Sequence, residues 1–293
     1  MLNPLFTIRK PTFKTTLVYV GPLFLMLFLT LLLSACTTQK YHHDSPIGQH
    51  QASNDDMAAT RISLGLGYLK LGNMSQAKFN LDKAKAFSPD LVKVYTAFAH
   101  YYEVVGENKL TRQSYEKALS IQANDADTLN NYGVFLCRQN EVPAAEVKFL
   151  AAIAVPSYFL VAESYQNLSS CYLQIDEFSK AAYYLSKSID HSPNTAVTLL
   201  QMVLLQYAMT DYEEAKRYQQ LFERNIRPFP AAYLALAYKV YRKLAQQAKA
   251  DSYSAMLVEM YPTSWESQQY LLNQLVTTQA DVLAKRYAVR QSK

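Results

Sequence analysis

A set of residue types recurs about every 34 residues along this chain. In the first unit, which starts at Ala58, a leucine–glycine pair and a tyrosine precede two alanines and a proline: Leu64, Gly65, Tyr68, Ala77, Ala84 and Pro89. Six such units align: 58–91, 92–125, 126–159, 162–195, 196–229 and 231–264. Two extra residues near Phe159 shift the register between the third and fourth units. A fixed period of this length predicts stacked copies of one supersecondary unit.

Each unit has the pattern of two helices joined by a turn. Small residues at Gly65 and Ala77 let the two helices approach closely, and Leu64 and Tyr68 are expected to fill the seam between them. Pro89 then stops the second helix. These residues resemble the tetratricopeptide (TPR) repeat. The resemblance implies an all-α fold, a right-handed superhelical solenoid of about six TPR repeats whose first helices line the concave side.

The repeats predict one elongated domain over residues 58–264, followed by a C-terminal helical extension or tail at 265–293. Half of the residues are hydrophobic, which is enough for one continuous core. The formal net charge of +5 would fall to +2 without residues 1–35, because that segment has three basic residues and no acidic ones. Such a balance argues against nucleic acid as a partner.

A secretory signal is predicted before the repeats. Three basic residues, Arg9, Lys10 and Lys14, precede an apolar stretch at 17–33, and small residues follow in Leu33-Ser34-Ala35-Cys36. This order of basic, apolar and small residues is typical of a signal peptide. A transmembrane anchor is the alternative, because an apolar stretch of about 17 residues is at the short end of what spans a bilayer.

The Leu33-Ser34-Ala35-Cys36 tetrad resembles the lipobox of bacterial lipoproteins. The resemblance implies that residues 1–35 are a lipoprotein signal peptide and that Cys36 is lipidated. It also implies sorting to the outer membrane, because Thr37 rather than an aspartate follows the cysteine. Residues 36–57 have almost no apolar side chains and cannot offset the entropy of folding. We therefore predict a lipidated, flexible tether there.

Motifs that would carry chemistry do not occur in the sequence. It contains no glycine-rich phosphate loop, no His-Glu-x-x-His and no Gly-x-Ser-x-Gly motif, and only seven glycines in total. We therefore expect a protein that is not an enzyme, with no cofactor, no metal site and no small-molecule substrate.

Two cysteines, Cys137 and Cys171, lie in the first helices of the third and fourth repeats. A secreted chain meets an oxidising compartment, and neighbouring helices lie close enough for such side chains to meet. A disulfide bond that joins the two repeats is one alternative. The other is a pair of buried free thiols that fill space as small apolar groups.

The concave face is the expected working surface. In repeat one it includes Ile62, Leu66 and Leu69, which are apolar where a solvated groove would be polar. An exposed apolar strip of this kind marks a partner site. Packing against the tether or the next repeat is the alternative. Repeat five has the same character, with Leu200 and Leu204.

A second candidate for the groove is a pair of asparagines. Asn131 and Asn167 both occupy position six, in the third and fourth repeats. A carboxamide both donates and accepts hydrogen bonds, so a ladder of carboxamides can hold an extended segment by its backbone. Capping of local turns is the alternative. Together the two candidates predict a partner-binding groove of Ile62, Leu66, Leu69, Asn131 and Asn167.

Two stretches of sequence resemble one particular family. They are residues 64–69, Leu-Gly-Leu-Gly-Tyr-Leu, and residues 129–139, which contain Asn-Asn-Tyr-Gly-Val-Phe-Leu-Cys. Together with the lipobox, they resemble the type IV pilus biogenesis and stability lipoprotein, the pilotin of the pilus secretin. The resemblance runs from Cys36 to about residue 264. Cys171 also lies where the fourth repeat of that family tends to place a cysteine.

The family resemblance implies a non-enzymatic lipoprotein that is anchored in the outer membrane by its lipid and faces the periplasm. It would bind secretin subunits and promote their outer-membrane localisation and multimerisation, so that type IV pili can assemble. The alternative is a general TPR scaffold lipoprotein for other envelope machinery, such as outer-membrane protein insertion or peptidoglycan hydrolases.

Overall fold

The computed structural model describes residues 53–272 and 279–292, and every regular element in these ranges is an α-helix. The helices are α1 (Asn54–Lys70), α2 (Met74–Phe87), α3 (Val92–Val104), α4 (Asn108–Ile121), α5 (Ala126–Arg138), α6 (Val142–Ile153), α7 (Val161–Gln174), α8 (Phe178–His191), α9 (Ala196–Ala208), α10 (Tyr212–Asn225), α11 (Ala231–Lys243), α12 (Gln247–Met260), α13 (Trp265–Leu271) and α14 (Gln279–Gln291). The predicted signal peptide, Cys36 and most of the predicted tether lie outside these ranges.

The first twelve helices form six successive hairpins, α1 with α2 through α11 with α12. The second helix of each hairpin also packs against the first helix of the next one. First helices contact each other as well, as in α1 with α3 and α5 with α7. They therefore line the concave side of the stack. The prediction of an all-α TPR solenoid is confirmed.

The turn inside every hairpin contains one residue with left-handed backbone. These residues are Gly72 (φ 75°), Gly106 (φ 81°), Asn140 (φ 64°), Asp176 (φ 60°), Thr210 (φ 65°) and Ala245 (φ 56°). Each one is the fifteenth residue of its repeat. Left-handed backbone lets the chain reverse in a short turn between two helices. Only the first two repeats use glycine, the residue that adopts this conformation without steric cost.

Glycine at two repeat positions allows close approach of the paired helices. A Cβ atom on Gly65 would lie 2.9 Å from the Leu81 side chain and 3.2 Å from the carbonyl oxygen of Ala77. A Cβ atom on Gly133 would lie 3.0 Å from the ring of Phe149. These distances are below ordinary contact, so the predicted role of Gly65 is confirmed and Gly133 has the same role in repeat three.

The seam between α1 and α2 is filled differently from the prediction. Leu81 fills it and is fully buried, whereas Leu64 is 44% exposed. Adjacent helical residues point about 100° apart, so Leu64 cannot face α2 when Gly65 does. The prediction that Leu64 fills this seam is therefore wrong.

The largest core cluster extends from Ala99 and Tyr115 of the second repeat to the C-terminal helix α14. Aromatic stacks reinforce the junctions between repeats. The rings of Tyr115 and Tyr132 join α4 to α5 with centroids 5.0 Å apart, and those of Phe222 and Tyr233 join α10 to α11 at 4.4 Å. Stacked aromatic pairs add to the stabilisation that their buried area provides, so each repeat is held to the next one.

Candidate protein-binding groove

Polar side chains on successive first helices bond to each other along the concave side. The hydroxyls of Thr96 on α3 and Thr128 on α5 lie 3.0 Å apart. Arg138 on α5 donates to the Glu103 carboxylate on α3 at 2.8 Å. These bonds hold the first helices in register and give the middle of the groove a polar floor.

The polar floor continues across the next two junctions. Ser164 on α7 donates to the Asn130 side chain on α5 at 2.8 Å. Gln166, also on α7, donates to the carboxamide oxygen of Gln201 on α9 at 3.0 Å. Asn130 and Gln166, which precede the two predicted asparagines in the sequence, therefore have hydrogen-bond partners on adjacent first helices.

Asn131 and Asn167 lie on α5 and α7, at equivalent positions of adjacent first helices. Asn131 is exposed and Asn167 is half-buried. Neither caps a helix end, because both lie in the middle of their helices. The Asn131 and Asn167 side chains make no hydrogen bond to any other described residue. Both carboxamides can therefore still donate and accept hydrogen bonds with a partner protein.

The apolar residues predicted to form a groove in repeat one have a packing role instead. Ile62 and Leu69 are 9% and 5% exposed. Ile62 belongs to a core cluster with residues of repeat two, including Val94 and Phe98, and Leu66 packs partly buried against that cluster. For Ile62 and Leu66 the alternative of packing against the next repeat therefore holds. Because Ile62 and Leu69 are buried, we do not retain them as partner-binding residues.

The apolar stretch in repeat five is covered by the C-terminal helix. Leu200 and Leu204 are partly buried, and α14 packs against their helix, α9. Within α14, Ala280 and Leu283 are fully or almost fully buried. The sequence pattern identified an apolar surface here correctly, but the surface is occupied by residues of the same chain.

Ion pairs fix both ends of α14 on the concave side. Asp281 pairs with Lys239 of α11. At the other end Arg286 pairs with Asp176 and donates to the carbonyl oxygen of Leu173 at 2.6 Å. No sequence motif predicted these contacts, which join residues between 42 and 113 positions apart.

A disulfide bond joins Cys137 of α5 to Cys171 of α7, with Cα atoms 5.5 Å apart. Both side chains are buried. Of the two alternatives, the structure thus has the bonded pair. The bond crosslinks the two helices that carry Asn131 and Asn167, and so it fixes the spacing of the two carboxamides.

The insertion between repeats three and four forms one wall of a cavity of about 680 Å³. Phe159 is 85% exposed at its edge, and Glu163, His191 and Val197 also line it. No functional role for this segment was predicted from the sequence. The signal was the two-residue interruption of the 34-residue period at Phe159.

A partly buried carboxylate on the second helix of repeat three links this repeat to repeat four. Glu146 on α6 accepts hydrogen bonds from the hydroxyls of Tyr172, at 2.7 Å, and Tyr184. Partial burial raises its pKa, but the bonds from Tyr184 and Tyr172 and the nearby Lys180 charge outweigh burial, so the pKa of Glu146 is below its ordinary value. Glu146 is therefore a charged clamp between repeats three and four.

Within residues 53–272 and 279–292, no three histidine, cysteine or acidic side chains lie close enough to hold a metal ion. In the same ranges, no helix combines the length and apolar character needed to cross a bilayer.

No profile of a known protein family matches the chain, but individual proteins do. The type IV pilus assembly protein PilF of Pseudomonas aeruginosa is 30% identical over 246 residues, which is 84% of this chain and 96% of PilF. An uncharacterised protein of Haemophilus influenzae is 33% identical over 140 residues, which is 48% of this chain and 74% of that protein.

Solved structures give the same result. The structure of P. aeruginosa PilF superposes with a TM-score of 0.59 at 31% identity, over 75% of this chain and 99% of PilF. PilW, a widely conserved type IV pilus biogenesis factor, also gives 0.59, at 25% identity, over 73% of this chain and 98% of PilW. This chain belongs to the family of the type IV pilus assembly protein PilF.

Proposed function

We propose that this protein is a non-enzymatic outer-membrane lipoprotein, facing the periplasm, that binds subunits of the type IV pilus secretin. It would promote their localisation to the outer membrane and their multimerisation. The observation that carries the proposal is the 30% identity to PilF over 96% of that protein, which supports a role in type IV pilus biogenesis. The open polar part of the groove supplies the means of binding.

The two asparagines suit an extended peptide segment. Neighbouring helices lie about 8–10 Å apart, and an extended chain rises about 3.3 Å per residue. The carboxamides of Asn131 and Asn167 are therefore spaced to meet backbone groups about three residues apart. Bonds to the backbone hold a segment without selecting its side chains, so selectivity would come from neighbouring charged residues such as Arg138 and Glu163, both exposed.

The lipid anchor would convert binding into assembly. Lipid on Cys36 would hold the solenoid at the membrane through the tether at 36–57. Subunits captured on such a surface have a higher effective concentration than free subunits. Ring closure requires many subunits at one place, so it would be favoured by this capture.

The binding step can be tested with the purified full chain in detergent and a fluorescently labelled periplasmic region of the secretin. If each carboxamide contributes about 1 kcal/mol, the double variant Asn131→Ala/Asn167→Ala binds about 30-fold more weakly. Asn124→Ala is the matched control, because Asn124 is exposed in the turn between α4 and α5. Equal affinity of the double variant and the control would refute the assignment of the groove.

A further inference from the structure

Helix α14 occupies the concave side of repeats four to six as a bound ligand would. Its buried face consists of Ala280 and Leu283, and Tyr287 packs edge-on against Phe178 of α8 with ring centroids 5.1 Å apart. Tetratricopeptide hairpins pack on their sequence neighbours, whereas α14 returns to contact three earlier repeats. This helix is thus an addition to the solenoid and not one of its repeats.

The charges of α14 match those of the groove from end to end. Asp281 in its first turn pairs with Lys239, and Arg286 and Arg290 near its other end pair with Asp176 and Glu177. Arg286 also donates to the carbonyl oxygens of Leu173 and Gln174 at the C-terminal end of α7. The helix rise places Asp281 and Arg290 about 13 Å apart. The groove therefore specifies a helix with an acid at its start and bases near its end.

The attachment of α14 is weakest at its C-terminal end, because the Lys239–Asp281 pair at its start is the more buried one. Only Ala280 and Leu283 are buried among its described side chains, while Val282 and Val289 are 50% and 57% exposed on the opposite face. The carboxylates and guanidinium groups that pair at its C-terminal end are 35–49% exposed. Exposed ion pairs contribute little to stability, so such an element opens more easily than the core.

The apolar surface on which α14 packs also continues past the start of that helix. A cavity of about 240 Å³ lies beside Gln279 and is lined by Leu200, Leu204, Leu236 and Trp265. Trp265 is 51% exposed. A helix that filled this cavity in addition to the α14 position would bury more apolar surface than α14 does.

We propose that the concave side of repeats four to six is a helix-binding surface for a partner protein, and that α14 is its resident occupant. The partner segment is an amphipathic helix whose apolar face consists of leucine and small residues such as alanine. It has an acidic residue in its first turn and two basic residues one turn apart near its end. The partner helix and α14 cannot occupy this surface at the same time. In repeat four, α14 contacts the C-terminal end of α7 and the turn after it, at Leu173 and Asp176, whereas Asn167 lies earlier on the same helix.

The test uses a labelled synthetic peptide with the sequence of residues 279–292 as the partner helix. The full-chain variant Arg286→Glu/Arg290→Glu has a weakened resident helix. Because its groove is vacated more often, it is expected to bind the peptide at least tenfold more tightly than the wild-type chain does. Lys285→Glu is the matched control, since Lys285 is exposed on α14 and forms no ion pair with the described residues; it is expected to behave as wild type.

Two results would overturn the proposal: equal peptide affinity for the wild-type chain and the double variant, or no binding to either. A peptide that itself carries both arginine-to-glutamate changes is expected not to bind the vacated groove. Circular dichroism verifies that the solenoid remains folded.

The single tryptophan of the chain, Trp265, gives an independent readout. Its emission should shift to the red and be quenched more strongly by acrylamide in the double variant, because Gln279 of α14 lies at the same cavity. Unchanged emission would contradict release of α14. None of these measurements involves the secretin, so their outcome is independent of the proposed pilus function.

Discussion

The disulfide between Cys137 and Cys171 makes a quantitative prediction about the stability of the solenoid. The two residues are 34 positions apart, so the bond removes the entropy of closing a loop of that length from the unfolded chain. The loop-entropy relation gives about 4 kcal/mol for such a loop. For a domain of more than 200 residues, about 2–4 °C is lost per kcal/mol. Reduction is therefore expected to lower the melting temperature by about 8–15 °C.

The assay is thermal unfolding followed by circular dichroism, with and without a reductant, in a chain that carries Cys36→Ser. That substitution leaves only the buried pair of cysteines. The control is Cys137→Ala/Cys171→Ala, which should unfold near the temperature of the reduced protein and should not respond to the reductant. A decrease of less than about 2 °C on reduction, or free thiols in the protein before reduction, would rule out a disulfide that stabilises the solenoid.

Three further changes test the packing of the repeats. Gly133→Ala places a Cβ atom 3.0 Å from the ring of Phe149 and should destabilise the fold by about 1–3 kcal/mol in urea unfolding; no loss would contradict the close approach. Thr210→Gly relieves left-handed backbone at φ 65° and should raise stability by about 1 kcal/mol, whereas a decrease would argue against strain at that turn. Glu146→Gln should cost about 1–2 kcal/mol at neutral pH. Because the pKa of Glu146 is lowered in the folded state, its contribution is present above the ordinary glutamate pKa and is lost as the pH falls through the lowered value, so the melting temperatures of variant and wild type should converge in acid. A difference in melting temperature between variant and wild type that does not depend on pH would contradict a stabilising role of the Glu146 charge.

The repeat frame was predictable because its determinants are local. The sequence shows the small residues of the repeat directly, as at Gly65, Gly133 and Ala77, and their spacing identifies the paired helices. The turns were less visible. Thr210 and Ala245 adopt left-handed backbone without the glycine that signals it, because the packing of two long helices outweighs a local preference of about 1–2 kcal/mol.

The binding surface was predicted only in part, for a different physical reason. A repeat position specifies which way a side chain points, but not whether the next repeat covers it. Ile62 and Leu69, at positions five and twelve of their repeat, are buried, whereas Asn131, at position six of its repeat, is exposed. The docking of α14 depends on contacts such as Arg286 with Leu173, 113 residues apart. Periodicity carries no information about contacts of that range.

We propose that this protein promotes assembly of the type IV pilus secretin at the outer membrane. The most direct measurement is the state of the secretin in a deletion strain, examined on unboiled gels after separation of inner and outer membranes. Complementing strains would express the wild-type chain, Cys36→Ser or Asn131→Ala/Asn167→Ala. High-mass secretin is expected to disappear from the outer membrane on deletion and to return only with the wild-type chain. Unchanged secretin multimers in the outer membrane of the deletion strain would refute the proposed role in secretin assembly.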